Sequence, residues 1–376
     1  MIPQPVLVTG GAGFIGSHLV ESLLAEGVTA VRVLDSLDPQ VHGPGATQAT
    51  LLPPGVEFLH GSVTDAALVD RALRGVRSVV HLAAAVGVGQ SMYAIASYVE
   101  ANAQGTAVLL DRIVNGKVPL ERLVVASSMS IYGEGRYRCA ACGPVAPPLR
   151  PLAQLEARQW EMRCPRCGGP AEAAPTDEDK PVLPTSVYAV TKRDQEELCL
   201  CVGRAYGIPS VALRLFNVYG PRQALSNPYT GVAAIFSSRL LNGQPPLVFE
   251  DGRQSRDFVH VTDVARAFHV ALATPSVRDV AINVGTGRPT SVAEVARHLA
   301  RVLKVDVAPQ VNGRFREGDI RHCVAAVSRA RDLLGFEAKV DFAEGIEGLA
   351  AWVRTQRADD RVAQATAELE ARGLVR

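Results

Sequence analysis

Residues 6–27 read VLVTGGAGFIGSHLVESLLAEG: an apolar β-branched run, glycines at 10, 11, 13 and 16, and a helix-length amphipathic stretch. A strand that turns so abruptly into a helix, through glycines that clear side-chain bulk from the turn, leaves little besides a parallel α/β sheet. The alternation then repeats. Further β-branched runs at 31–35 (VRVLD), 56–61 (VEFLHG), 78–84 (SVVHLAA) and 122–128 (RLVVASS) are separated by helix-length segments, so the sequence predicts a Rossmann-type doubly wound sheet. From 215 to 257 the chain is richer in Gly, Pro and Asn, and from Val292 onward it turns mostly helical. These shifts predict a second, smaller mixed α/β lobe, with one or two surface helices over 341–372.

Gly10, Gly13 and Gly16 open the first helix, where backbone N–H groups and the helix dipole can face a pyrophosphate. A glycine-rich turn with no ligand has the same spacing, so the run needs support. Asp35 supplies it. At the end of the next strand, a carboxylate can accept hydrogen bonds from ribose hydroxyls and repels a 2′-phosphate, which favours NAD over NADP. Ser62, in HGSVTD, is placed at the adenine end of such a groove. His81 fits two readings, a satisfied strand-end histidine or a residue lining the nicotinamide end.

Tyr188 and Lys192 form Y-x-x-x-K, which puts both side chains on one helix face. An ammonium beside a phenol favours the phenolate, so Tyr188 becomes a candidate base near neutral pH. Ser128 ends a strand at the carboxyl edge of the sheet, where ligands of such sheets sit, and its hydroxyl could hold a substrate oxygen or cap a turn.

Between Gly135 and Pro184 the composition changes to Arg, Pro, Ala and Cys, without sheet or helix periodicity outside 152–163. An inserted module is expected. The domain organisation is then 1–135 and 181–215 for the nucleotide-binding domain, 136–180 for the insertion, and 216–376 for the second lobe, with 258–290 returning to the first. Within the insertion, Cys139-x-x-Cys142 and Cys164-x-x-Cys167 have zinc-ribbon spacing, and four thiolates would close the shell of a structural ion. Such an ion would fold a segment of about fifty residues, too long for an unsupported loop. The segment is expected to extend a wall of the active site and cover the substrate. Its arginines, Arg136, Arg138, Arg150, Arg158, Arg163 and Arg166, make it mildly basic.

Charge and hydropathy narrow the partners. Lys and Arg number 39 and Asp and Glu 38, a formal charge of +1, which gives no electrostatic reason to expect nucleic acid or an acidic membrane. No apolar run approaches the ~18 residues of a membrane helix, and MIPQPVLVTG has no export signature. A soluble cytoplasmic protein acting on a small molecule is expected.

The ordered motifs GGAGFIG, HLAA, N-x-x-GT (102–106), SSMSIYG, YAVTK, LRLFNVYGPR and RDFVHVTDVARA resemble the extended short-chain dehydrogenase/reductases. Within them the chain is similar to the NAD-dependent nucleotide-sugar epimerases and dehydratases typified by UDP-galactose 4-epimerase. The resemblance implies catalytic roles for Ser128, Tyr188 and Lys192. It implies NAD contacts from Gly10, Gly13, Phe14, Ile15, Gly16, Asp35, Ser62, Val63, Leu82, Ala83, Ala84, Asn102, Tyr188 and Lys192. For the nucleotide sugar it implies Ser128, Ser130, Asn217 and the phosphate-binding arginines Arg256 and Arg316, since a guanidinium fork suits a diphosphate. Family members that dehydrate or decarboxylate carry acidic residues after the catalytic Ser/Thr. Here Met129 and Ser130 stand in those places, so 4-epimerisation is the expected chemistry. Ser62 stands where relatives often have an aspartate, which shifts the adenine contact to the Val63 backbone. The insertion, its flanks and GRFREGDIRHCVA (313–325) resemble the branch acting on dTDP-L-rhamnose, which implies a dTDP- or UDP-linked hexose as partner. UDP-glucose, UDP-galactose or UDP-glucuronate is the alternative substrate, and a 4-ketoreductase or a non-catalytic NAD-binding regulator the alternative function. The resemblance also implies a homodimer, built from the helix near 91–114 and the helix starting at Tyr188.

Overall fold

The structure is a computed structural model that describes residues 1–43, 45–316 and 318–376. Its centre is a seven-stranded parallel sheet of β1 (Val6–Thr9), β2 (Val31–Asp35), β3 (Glu57–His60), β4 (Ser78–His81), β5 (Arg122–Ser128), β6 (Ser210–Leu215) and β7 (Val280–Val284), in the order β7-β6-β5-β4-β1-β2-β3. Strand β1 pairs with β2 on one side and β4 on the other, with Thr9 opposite both Leu34 and His81. The strand order therefore reverses direction beside β1, and a crevice opens there outside the carboxyl ends.

Helices cover both faces of the sheet, which is why β5 is buried at every position and its middle, 123–126, is apolar throughout. On one face lie α1 (Phe14–Ala25) and, from much later in the chain, Val261–Ala273; on the other lie Ala66–Ala72, α2 (Gly105–Asn115) and α3 (Val187–Tyr206). Five strands coincide with the β-branched runs of the sequence. The last two, β6 and β7, extend the sheet beyond them, and β7 is reached only after part of the second lobe has been built.

That lobe packs helices Val232–Leu241, Val292–Leu303 and Phe342–Val353 around Phe236, Leu240, Val295, Leu299, Ile346, Leu349 and Val353. Burying a side chain of this size stabilises by roughly 1.5–3 kcal/mol. The 341–372 segment thus differs from the expected surface helices, because its first helix is a core element. Asp257 ties the lobe to the sheet: its carboxylate accepts from Thr286 N (2.8 Å), Thr286 Oγ1 (2.6 Å), Gly287 N (2.8 Å) and Ala325 N (3.2 Å).

The inserted segment forms a small antiparallel sheet of Arg136–Cys139, Gly143–Val145 and Glu172–Ala174 around Tyr137, Val145, Met162 and Ala171. Helix is confined there to Leu152–Glu156, shorter than the stretch of possible periodicity. No helix among the described residues is long and apolar enough to cross a membrane.

Candidate active site

The carboxyl rim of the sheet and the second lobe enclose a cleft of about 1760 Å³. At one end the glycine turn comes so close to neighbouring backbone that only hydrogen fits. A Cβ on Gly10, whose φ is +69°, would lie 2.7 Å from Ala83 N, and one on Gly16 would lie 2.3 Å from Gly10 O. The Asp35 carboxylate accepts from Ala12 N (3.0 Å) and Leu37 N (2.9 Å), which locks the end of β2 to the glycine turn. Gly10, Gly13, Phe14, Ile15, Gly16, Asp35, Ser62, Val63, Leu82, Ala83 and Ala84 all line this end. Bulk-free backbone at a helix N-terminus with an acidic side chain at the next strand end fits NAD.

The middle of the cleft is built by two elements. Ser186 caps α3, its hydroxyl accepting from Ala189 N (3.1 Å), and this start aims Tyr188 and Lys192 at the sheet. From β5, Ser128 accepts from Ser130 N (3.1 Å), capping the next turn, and its hydroxyl lies on the Tyr188 side of the cleft. Burial raises the Tyr188 pKa above that of a free phenol, and the Ser128 hydroxyl opposes part of that rise. Burial also lowers Lys192 to about 8. The Lys192 ammonium donates to Gln195 Oε1 (2.7 Å), one turn further along α3, rather than to the Tyr188 phenol as its spacing suggested.

Two residues sit behind the wall instead of in it. His81 is fully buried, with Thr9 Oγ1 at 2.7 Å from Nδ1 and Thr106 Oγ1 at 2.8 Å from Nε2, and burial, reinforced by the nearby Lys192 ammonium, lowers its pKa to about 3. It is the satisfied, neutral strand-end histidine. Asn102, expected to touch NAD, is likewise fully buried and does not line the cleft. Its amide accepts from Ala85 N (2.7 Å) and donates to Ala85 O (3.1 Å) and Thr191 Oγ1 (2.9 Å), pinning the segment after β4 to α3. It lies on a π-helical stretch, Val99–Gln104, whose wide turn aims the side chain inward.

At the far end, Asn217, Arg256 and Arg316 line the cleft together with Ser130 nearer the centre. Arg256 donates to Ile320 O (2.7 Å) and Arg321 O (3.0 Å), while Arg316 stacks on Phe249 at 4.5 Å. Asn217 Oδ1 and Arg316 Nε are buried without hydrogen-bond partners among the described residues. Orphaned polar atoms of this kind are costly unless a ligand meets them.

The inserted segment is not where the sequence reading placed it. No residue from 134 to 184 lines the cleft, whose wall passes from Gly133 to Thr185. The segment packs outside the cleft and contributes no residue to its lining. It does bring Cys139, Cys142, Cys164 and Cys167 together, with all four sulfurs within 4.8 Å of one another. Each pair is followed by a glycine, Gly143 and Gly168, at φ +72°, giving two matched turns. The helix Val362–Ala371 falls within the expected tail helices, but its place at the cleft was not foreseen. Its Glu368 accepts from Tyr93 (3.1 Å) and Tyr229 (3.2 Å) at the edge of the cleft. A lone glutamate on an ordinary amphipathic helix gives no signal of this.

This geometry can be set beside known proteins. Residues 6–153 and 166–285 match the model of the NAD dependent epimerase/dehydratase family. The chain belongs to that family, as an enzyme of its nucleotide-sugar 4-epimerase branch. Among its relatives is a dTDP-L-rhamnose 4-epimerase of Burkholderia thailandensis, 37% identical over 93% of this chain and 95% of that protein. The fold is similar to UDP-glucose 4-epimerase from Thermotoga maritima with UDP-glucose (TM-score 0.75, 30% identity, 93% of this chain and 98% of that one). It is also similar to UDP-glucuronic acid 4-epimerase from Bacillus cereus in complex with UDP-glucuronic acid and NAD (TM-score 0.76, 26% identity, 93% and 99%).

Proposed function

We propose that the enzyme interconverts the C4 epimers of a dTDP-linked 6-deoxyhexose, dTDP-L-rhamnose and dTDP-6-deoxy-L-talose. The similarity to the Burkholderia enzyme, which runs through nearly the whole of both chains, is the observation that carries this choice of sugar. The UDP-sugar complexes among the structural neighbours support UDP-glucose, UDP-galactose or UDP-glucuronate as the second reading.

Bound NAD supplies a reversible hydride acceptor, which lets the sugar C4 become a ketone and then an alcohol of opposite configuration. Gly10, Gly16 and Asp35 hold its pyrophosphate and ribose, and Lys192 its nicotinamide side. Tyr188 removes the proton of the 4-hydroxyl and later returns one to the same oxygen. Ser128, which lines the cleft with Tyr188, steadies the oxygen through both halves. Asn217, Arg256 and Arg316 grip the nucleotide diphosphate while the keto sugar turns over, so binding remote from C4 sustains the reaction. Met129 and Ser130 add no carboxyl beside C5 or C6 and leave elimination unassisted.

Two further features belong to this reading. Four clustered thiolates suit a structural zinc with a closed shell. An exposed apolar stripe of Ile95 (51% exposed), Val99 (43%), Val190 (46%) and Leu198 (36%) suits burial against a second copy, with two helices from each protomer.

The test incubates the purified enzyme, with and without added NAD, with dTDP-L-rhamnose and with a panel of UDP- and GDP-hexoses, and follows C4 configuration by proton NMR. Epimer formed from dTDP-L-rhamnose with no net change in NADH absorbance supports the reading. Epimer from a UDP-hexose alone would move the substrate to the second reading, and stoichiometric consumption of cofactor would identify a reductase.

A further inference from the structure

The inserted segment stays out of the cleft yet is connected to its wall by ionic groups buried from water. Arg150, from the segment, has a guanidinium only 1% exposed and grips Glu250 with both nitrogens (2.7 Å to Oε1, 3.0 Å to Oε2). The same guanidinium donates to Asp319 O (3.1 Å) in the second lobe and to Trp160 O (3.0 Å) in the segment itself. A second guanidinium, that of Arg321, is fully buried and donates to Glu250 Oε2 (3.0 Å) and Asp251 Oδ1 (2.7 Å), and it meets Glu161 of the segment. Glu134, just ahead of the segment and leading into it, accepts from Arg321 N (2.7 Å) and His322 N (2.8 Å). Residues 319–322 are thus fastened from two sides by the insertion.

Those same residues carry the diphosphate end of the site. The carbonyls of Ile320 and Arg321 are the acceptors that hold the Arg256 guanidinium, and Glu250, Asp319 and Ile320 line the cleft beside it. Glu250 keeps a left-handed backbone, φ +54°, which is strained for a residue other than glycine and persists only where its surroundings enforce it. An Arg–Glu–Arg cluster out of water is a weak source of stability, since apolar residues of similar volume often replace one without loss. Its value lies in rigid geometry.

We propose that Arg150, with Glu134 and Glu161, comprises a set of positioning residues through which the inserted segment sets the place of Arg256, and so the affinity for the nucleotide diphosphate. This rests on the proposed function above for the identity of the ligand. The insertion then acts on the end of the substrate remote from the sugar.

The experiment titrates dTDP and UDP by calorimetry into the full-length wild type and into Arg150→Met, Arg150→Lys and Glu161→Gln, with NAD titrated in parallel. Displacement of a binding group by an ångström can cost on the order of 100-fold. Arg150→Met is therefore expected to weaken the nucleotide that the wild type binds by roughly 10- to 100-fold, with NAD affinity unchanged and KM raised more than kcat is lowered. Arg150→Lys should recover only part, because it keeps the charge and loses the two-pronged grip. Glu161→Gln, altered at an exposed side chain, should fold normally and weaken the same nucleotide to a smaller degree, and it decides the matter if Arg150→Met does not fold. Unchanged nucleotide affinity in the folded variants would overturn the brace and leave the epimerase reading standing; a wild type that binds neither dTDP nor UDP would overturn both.

Discussion

Adding one methyl group at Gly16 should loosen the cofactor without touching any functional side chain. A Cβ there would lie 2.3 Å from Gly10 O, 2.6 Å from Gly11 Cα and 2.8 Å from Gly11 C. All three are backbone atoms and none can rotate away. Non-bonded contacts to carbon are comfortable at about 3.5–4.0 Å, so the turn or the start of α1 must retreat by roughly 1 Å. Overpacking of this size costs about 1–3 kcal/mol, and because the displaced backbone is the pyrophosphate cradle, most of that loss should fall on the cofactor. At 1.4 kcal/mol per tenfold, NAD affinity of Gly16→Ala should drop by about fivefold to 100-fold. Calorimetric titration of cofactor-free protein with NAD measures this, and circular dichroism checks that α1 survives. Gly348→Ala is the control. It sits in the helix Phe342–Val353 with nothing within 4 Å of its Cβ, so NAD affinity should be unchanged and stability raised by about 0.5–1 kcal/mol. An NAD affinity for Gly16→Ala within twofold of wild type, in a folded protein, would refute the argument that the close approach at Gly10 shapes the cradle.

Tyr188→Phe keeps the buried ring and removes the titrating oxygen; turnover should fall by roughly 100- to 10,000-fold with melting little changed, and near-normal turnover would remove Tyr188 as the base. Chelation, or Cys139→Ser, should release about one zinc per chain by elemental analysis and expose 136–174 to protease; full protection after proven metal loss would show that the thiol cluster is not a metal clip. The His81 side chain, with its pKa lowered from 6.5 to about 3 by burial, takes up a proton on unfolding, so stability is complete above pH 6.5 and declines as pH falls from there towards 3. The decline is at most about 1.4 kcal/mol per pH unit. Melting curves of His81→Gln should therefore flatten between neutral and acidic pH relative to wild type, and parallel curves would count against the buried neutral imidazole.

The parts of the site that were legible in the sequence are those where chemistry depends on local spacing. Glycines between a strand and a helix, Tyr188 and Lys192 one turn apart, and paired cysteines each carry their geometry within a few residues. Strands such as β5, buried on both faces, announce themselves by short apolar runs without alternation, whereas β7 is separated from the rest of the sheet by a stretch of the other lobe. Sequence could not show on which side of a wall a side chain falls. Asn102 and His81 have the right residue types a few ångströms behind the cleft, and only packing reveals that their polar atoms are already satisfied by Ala85, Thr191, Thr9 and Thr106. The insertion is the larger case. Its position in the chain suggested a place along the wall of the active site, yet its buried Arg150 reaches Glu250 and Asp319, beside Arg256 in the second lobe.

The path of the chain between the lobes has a mechanical consequence. It leaves the sheet after β6, returns along Ser255–His260 to supply a helix and β7, and departs again past Gly285, with Asp257 riveting the crossings together. Two bodies joined by a single linker can swing apart like a clam. Lobes plaited in this way are more restrained, so the cleft should open less widely and small segments at its mouth should take a larger part in admitting and releasing the substrate. For the proposed reaction, whose 4-keto sugar has to turn over without leaving, a vessel that opens only a little is the safer container.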